Sequence, residues 1–136
     1  MINKHDHYMP LIMVSGTQDL ALVTTTAASL RMDCAVVSPP GAGCFMGVPW
    51  WTALVAGCPL PAWLDCGQAA GHAAAALRAG LSGVIVSATA PQHHALASLA
   101  SLTGGHVLRA RPHALELPAR GARDALERYL RNPRMP

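Results

Sequence analysis

Three residues near the middle of the chain have side chains that could support catalysis: Asp65, Cys66 and Cys44. Both cysteines fall in loops predicted to join a strand to a helix, where a thiol becomes acidic if a helix N-terminus or a cation lies nearby. Asp65 could act as a general acid or base. One hypothesis is therefore a small-molecule enzyme of the lyase or hydrolase type, in which Asp65 acts with Cys44 or Cys66. The competing interpretation is structural, because cysteine is among the most commonly buried residues.

A second set of residues lies at the predicted carboxyl ends of the strands, where open α/β folds bind ligands. Helix N-termini offer free N–H groups there, which suit a phosphate or a carboxylate. We therefore expect a small anionic ligand at this edge. Ordinary turns and helix N-caps require the same residue types, so a purely structural role stays open. The candidate ligand-binding residues are Ser15, Thr17, Ser38, Gly41, Gly43, Gly67, Ser87 and Thr89.

The glycine-rich stretch SPPGAGCFMG, residues 38–47, fits a nucleotide-binding loop poorly. Its third glycine comes one position later than the dinucleotide fingerprint requires. Pro39 and Pro40 remove backbone donors, and no lysine follows that could complete a Walker A loop. The sequence therefore leaves the cofactor unknown. It predicts no metal site, because Cys44, Cys66 and His72 share no metal-ligand spacing motif.

Five strand-like runs, each followed by a turn signal, predict the elements that must position these residues. Alternating strands and helices with short connections predict a single three-layer α/β domain over residues 1–136, with about five parallel strands. A flavodoxin-like strand order and an open half-barrel are both compatible with this pattern. Residues 1–9 are expected to be a flexible N-terminus. The predicted strands cover residues 10–16, 33–39, 62–66, 83–89 and 106–112, and helices are expected after capping boxes at Ser15–Gln18 and Thr89–Gln92, over 68–80 and over 120–132.

The composition favours a chain that associates with copies of itself. Of its 136 residues, 51% are hydrophobic and 12% are charged, where a charged fraction of about 25% is usual. Asp65 is the only charged residue between Cys34 and Leu77, so a monomer would leave a large uncharged surface in water. A further alternative is a structural or interaction protein that uses the Trp50/Trp51 face. The uncharged segment could instead form the core of its own chain, in which case it indicates no partner. The expected contact residues are Phe45, Met46, Trp50 and Trp51.

The distribution of charge and the length of the apolar runs argue against nucleic acid and membrane partners and favour the cytoplasm. The formal net charge of +3 comes from the C-terminal third, which holds seven of the nine arginines. This distribution is too diffuse, and too poor in aromatic residues, to indicate nucleic acid binding. No apolar run approaches about 20 residues, the length needed to cross a bilayer, and the N-terminus has no signal-peptide-like stretch. Four cysteines without ligand-like spacing predict reduced thiols in a cytoplasmic protein.

The stretch WLDCGQAAGHAAAALRAGLSGVIVSA, residues 63–88, combines a strand, an alanine-rich helix and a second strand. It resembles one strand–helix–strand unit of the phosphate-binding (β/α) barrels, including the ketohydroxyglutarate-type aldolases. The resemblance implies anion binding at the strand ends. In those aldolases a lysine on a strand forms a Schiff base, whereas the only lysine here is Lys4 and no predicted strand carries one. That chemistry is therefore not expected, and the resemblance implies no catalytic residue.

Overall fold

Six short strands form one parallel sheet in the computed structural model of the chain, which describes residues 9–133. The order across the sheet is β5-β4-β3-β2-β1-β6. The predicted parallel α/β sheet is confirmed. The expected flexible N-terminus, residues 1–9, falls outside the described residues except for Met9. The strands are β1 (Leu11–Met13), β2 (Ala35–Val37), β3 (Ala62–Asp65), β4 (Gly83–Ile85), β5 (His106–Leu108) and β6 (Leu115–Glu116).

Six helices alternate with or follow the strands. The long predicted helices are confirmed, and Pro49 lies in the first turn of the short third helix, where proline is well tolerated. The apolar stripe of the last helix buries Leu126, Tyr129 and Leu130. Within residues 9–133, every helix is too short or too polar to traverse a bilayer. The helices are α1 (Thr17–Leu30), α2 (Ala42–Phe45), α3 (Val48–Val55), α4 (Ala70–Arg78), α5 (Ala90–Thr103) and α6 (Ala122–Arg131).

One of the two predicted capping boxes is present. Thr89 Oγ1 accepts a hydrogen bond from the Gln92 N–H, and Gln92 Oε1 accepts one from the Thr89 N–H. The box predicted at Ser15–Gln18 is wrong, because Gly16 is the N-cap of α1 and provides no side chain. Asp19 Oδ2 instead accepts hydrogen bonds from both the N–H and the hydroxyl of Ser15. Ser15 therefore turns towards the helix's own acidic residue.

The strand order excludes one of the two arrangements that the sequence leaves open. Strands β1 to β5 follow one another across the sheet, whereas a flavodoxin-like fold has the order 2-1-3-4-5. Right-handed crossovers that progress in one direction place all their helices on the same face. The main core cluster accordingly takes buried residues from α1 and from α3 to α6, and the smaller cluster on the other face contains no helical residue. The strand order is therefore not flavodoxin-like, and the helices lie on one face of the sheet.

The second face of the sheet is covered by an extended segment instead of a helix. Strands β5 and β6 are the two edge strands, so residues 109–114 must cross the whole sheet between them. Ala114 packs in the cluster on this face, and Arg111 reaches Asp65 on β3. The predicted strand 106–112 is therefore too long, since only His106–Leu108 pair with a neighbour. This crossing segment, residues 109–114, forms the outer layer on the face that has no helix.

Candidate functional site

The carboxylate of Asp65 lies at the centre of a hydrogen-bond network at the carboxyl end of β3. Asp65 is 6% exposed. Its Oδ2 accepts a hydrogen bond from Arg111 Nη1 at 2.9 Å, which is also an ion pair, and its Oδ1 accepts one from the Gly67 N–H at 2.9 Å. A buried charge is tolerated when it is paired and hydrogen-bonded. Both carboxylate oxygens of Asp65 are thus committed to partners within the chain.

Ser38 supports the same network from the neighbouring strand β2. It is fully buried. Its hydroxyl accepts a hydrogen bond from the Asp65 N–H at 2.9 Å and donates one to the Pro39 carbonyl at 3.0 Å. The single donor of this hydroxyl is therefore used inside the protein, and Ser38 joins the ends of β2 and β3.

The two candidate nucleophiles have very different surroundings. Cys66 is fully buried, and this burial raises the pKa of its thiol to about 12, with smaller contributions from the neighbouring Cys44 and Asp65. Cys44 is exposed, and its thiol donates a hydrogen bond to the Cys66 carbonyl at 3.1 Å. A thiol needs to lose its proton before it attacks. Burial therefore makes Cys66 a poor nucleophile near neutral pH.

Packing and turn geometry account for the glycines at this edge. A Cβ atom on Gly43 would stand 2.8 Å from Cys66 Sγ and 3.1 Å from the Asp65 carbonyl oxygen, which is closer than packed atoms tolerate. Gly43 thus lets α2 lie directly against the end of β3. Gly41 and Gly67 have φ angles of +70° and +59°, in the left-handed region that favours glycine.

The other four candidate ligand-binding residues have exposed side chains at the same edge. Ser15 and Thr89 are engaged by Asp19 and Gln92, as described above. The Ser87 N–H donates to the Gly67 carbonyl at 2.8 Å, which joins the ends of β3 and β4. Thr17 lies in the first turn of α1, after the end of β1. The structure thus brings Ser38, Gly41, Gly43, Gly67 and Ser87 around Asp65, while Ser15 and Thr17 follow β1, two strands away.

Two residues of this edge were not among the predicted site residues. Arg111 is the partner of Asp65, and a single acidic residue in a long uncharged stretch is the sequence signal for a basic partner elsewhere in the chain. His93, which is buried, accepts a hydrogen bond from the Ala88 N–H through Nε2 at 3.2 Å. This bond closes the loop between β4 and α5. Neither contact joins residues whose spacing forms a recognisable motif.

The expected contact surface divides into exposed and buried parts. Phe45 is 66% exposed and Met46 is 47% exposed, whereas Trp50 is half-buried. Trp51 has no exposed area, because it packs in the main core of its own chain. The expectation that Trp51 belongs to a subunit contact is therefore corrected. What remains of the predicted surface is Phe45, Met46 and the exposed part of Trp50.

Neither metal-ligand geometry nor comparison with known proteins assigns a role to this site. Within residues 9–133, no three His, Cys, Asp or Glu side chains are grouped closely enough to hold a metal ion. All four cysteines are free thiols. No protein-family model matches the chain, and no curated protein matches it.

Proposed function

We propose that this chain is a self-associating α/β protein whose subunits meet at the end of α2. The observation that carries the proposal is the exposure of two adjacent large apolar side chains, Phe45 and Met46. Together with the exposed Cys44 they form a surface that we call the Phe45 corner, residues 44–46. A contiguous apolar surface in a stretch without charge is typical of a protein–protein contact.

A second copy of the chain is the partner that suits the Phe45 corner. The corner has no charged side chain, so it offers nothing that would select a partner of opposite charge. In a two-fold symmetric contact the same surface is used twice, and an uncharged apolar surface complements itself. Trp50, which is half-buried on the adjacent helix α3, would extend the contact.

The free energy gained by burying Phe45 and Met46, compared with the cost of association, predicts that the subunits associate reversibly. Full burial of a Phe or Met side chain contributes about 1.5–3 kcal/mol, and a symmetric contact buries each of them twice. The loss of translational and rotational freedom costs about 4–15 kcal/mol. Gain and cost are of the same order, so the degree of association should depend on protein concentration.

Catalysis by Asp65 with Cys44 or Cys66 is less well supported. Both oxygens of Asp65 are engaged by Arg111 and Gly67, and Cys66 is buried. An anionic ligand at the same edge is also weakened as a hypothesis, because the carboxylate neutralises the guanidinium that would attract it. Four free thiols fit a reducing compartment such as the cytoplasm.

Sedimentation at increasing protein concentration tests the proposal. Phe45→Ser removes the largest exposed apolar side chain of the corner and should weaken association about tenfold or more. Leu102→Ser is the matched control, because Leu102 is 85% exposed but lies on α5, away from the corner. Wild-type protein that stays monomeric throughout, or a Leu102→Ser variant that is weakened equally, would contradict the proposal.

A further inference from the structure

A cleft of about 550 Å³ opens on the face of the sheet that has no helices. Its floor is made by side chains of four strands, namely Leu11, Ala35, Trp63 and Leu108. The volume lies within the range of about 300–1,000 Å³ that is usual for small-molecule sites. In the part of the chain that the structure describes, no helical residue contributes to the lining, so the cleft is separate from the Phe45 corner on α2.

The rim of the cleft is stiff. Pro59 and Pro61 precede β3, and Pro112 belongs to the crossing segment. Proline fixes φ and has no N–H group. The backbone of the rim is therefore restricted at these three positions and offers no donor there.

Trp63 packs over β4 at Gly83, which has no side chain. A Cβ atom on Gly83 would stand 2.5 Å from Trp63 Cε3, so the indole occupies the space that a side chain at position 83 would fill. The ring of His106 on β5 lies beyond it, with 6.4 Å between the ring centroids and an angle of 47° between the planes. The half-buried indole thus presents an aromatic surface to the cleft.

The polar groups of the cleft are few. Of the residues between 9 and 133 that line it, none is Asp, Glu, Lys or Arg. The Ser82 hydroxyl donates to the Ala62 carbonyl at 3.0 Å, and the Cys58 thiol donates to the Leu60 carbonyl at 3.7 Å. Among the described lining residues, His106 has the one imidazole, and no hydrogen bond joins this ring to another residue of 9–133. A charged ligand would lose its hydration here without gaining a counter-charge.

The geometry points to a binding site for a neutral, flat, largely apolar small molecule that stacks on Trp63 and forms one hydrogen bond with His106. Stacking on an indole supplies both buried area and a preferred orientation, and one polar group in an apolar cleft sets the direction of the ligand. This site goes beyond self-association. It uses a different face of the molecule, so either proposal can fail while the other stands.

Two dyes that share one ring system test the charge and shape of the ligand. N-phenyl-1-naphthylamine is neutral and has one N–H group, and 1-anilinonaphthalene-8-sulfonate adds a sulfonate to the same rings. The 136-residue chain should bind the neutral dye saturably, with one site per chain, and should bind the sulfonate at least about tenfold more weakly. Equal or tighter binding of the sulfonate, or no saturable binding of the neutral dye, would overturn the proposal.

Variants then locate the dye. Trp63→Leu should weaken binding of the neutral dye about fivefold. Leu102→Ser is the control, because Leu102 is exposed on α5, outside both the cleft and the Phe45 corner, and this variant should leave binding unchanged. His106→Phe keeps a ring on the exposed edge strand and should weaken binding about threefold, which decides the question if Trp63→Leu does not fold.

Two results would overturn this assignment. The first is binding that Trp63→Leu and His106→Phe leave unchanged while both variants stay folded by circular dichroism. The second is dye affinity that falls as the protein associates in sedimentation, since this would mean that a second copy of the chain, and not a small molecule, covers the cleft.

Discussion

Arg111 and Asp65 join two parts of the chain that are 46 residues apart. The ion pair fixes the crossing segment to the end of β3, and the Gly67 N–H and the Ser38 hydroxyl complete the surroundings of Asp65. At the scale of single residues, the carboxylate acts mainly as a structural anchor. A buried carboxylate without these partners would be strongly destabilising.

The buried thiols predict loss of stability in alkaline solution. Burial raises the pKa of Cys66 from its ordinary value of 9.0 to about 12, and burial, with smaller contributions from Asp33 and Cys58, raises the pKa of Cys34 to about 11. The pKa of each thiol is higher in the folded state than in the unfolded chain. As the pH rises, the unfolded chain therefore loses these protons at a lower pH than the folded protein does. The contribution to stability is therefore complete below about pH 9 and is lost as the pH rises towards about 12, with a slope of up to about 1.4 kcal/mol per pH unit for each thiol.

Urea unfolding at a series of alkaline pH values measures this slope. Cys66→Ala and Cys34→Ala should each make the decrease in the free energy of unfolding less steep, whatever their effect at neutral pH. Leu102→Ser changes an exposed side chain that does not titrate and serves as the control. If the slope is the same in all three variants as in the wild type, burial of the thiols is not its source.

The sequence predicts which residues lie at the carboxyl edge of the sheet, but it does not predict the hydrogen bonds that they make. Ser38 and Asp65 lie at the ends of strand-like runs, Gly43 and Gly67 lie in the loops and turns that come after them, and parallel strands end at one edge of a sheet. Whether Ser38 contacts a ligand or the Asp65 N–H depends on the direction of its side chain. The pairing with Arg111 depends on a chain crossing with no local pattern.

At the scale of elements, the contact between α2 and β3 depends on Gly43. Replacing it with alanine should lower the free energy of unfolding by about 1–3 kcal/mol, because the added methyl group would overlap Cys66 Sγ and press on the β3 backbone. Urea unfolding measures the change.

Gly71→Ala is the matched control for this prediction. Gly71 lies in α4, and a Cβ atom there would meet nothing within 4 Å. Alanine favours a helix over glycine by about 0.5–1 kcal/mol, so this variant should be slightly stabilised. A Gly43→Ala variant as stable as the wild type would show that α2 does not pack as described.

The strands were predictable as elements because their apolar runs are short and bounded by turns, but their order was not. β6 has only two residues, Leu115–Glu116, which is too short for any periodic pattern. Its pairing with β1 places β5 and β6 at opposite edges and forces the chain across the second face. Pairing between strands that are far apart in the chain depends on tertiary packing, and short sequence patterns carry no information about it.

At the scale of the whole molecule, one-sided winding leaves two apolar surfaces in different places. The helices cover one face of the sheet and carry the Phe45 corner, while the other face keeps the cleft beside the crossing segment. Subunit association at the corner therefore need not block the cleft, and a ligand in the cleft need not disturb association.

Cys44 provides the most direct test of self-association because it lies within the Phe45 corner. It is exposed, whereas Cys34 and Cys66 are buried. The measurement is the rate at which a bulky maleimide labels Cys44, read from its peptide by mass spectrometry, over the concentration range in which sedimentation shows association. We predict that the rate falls as wild-type protein associates and stays constant for Phe45→Ser. A rate that does not change while the wild-type protein associates would show that the subunits meet elsewhere.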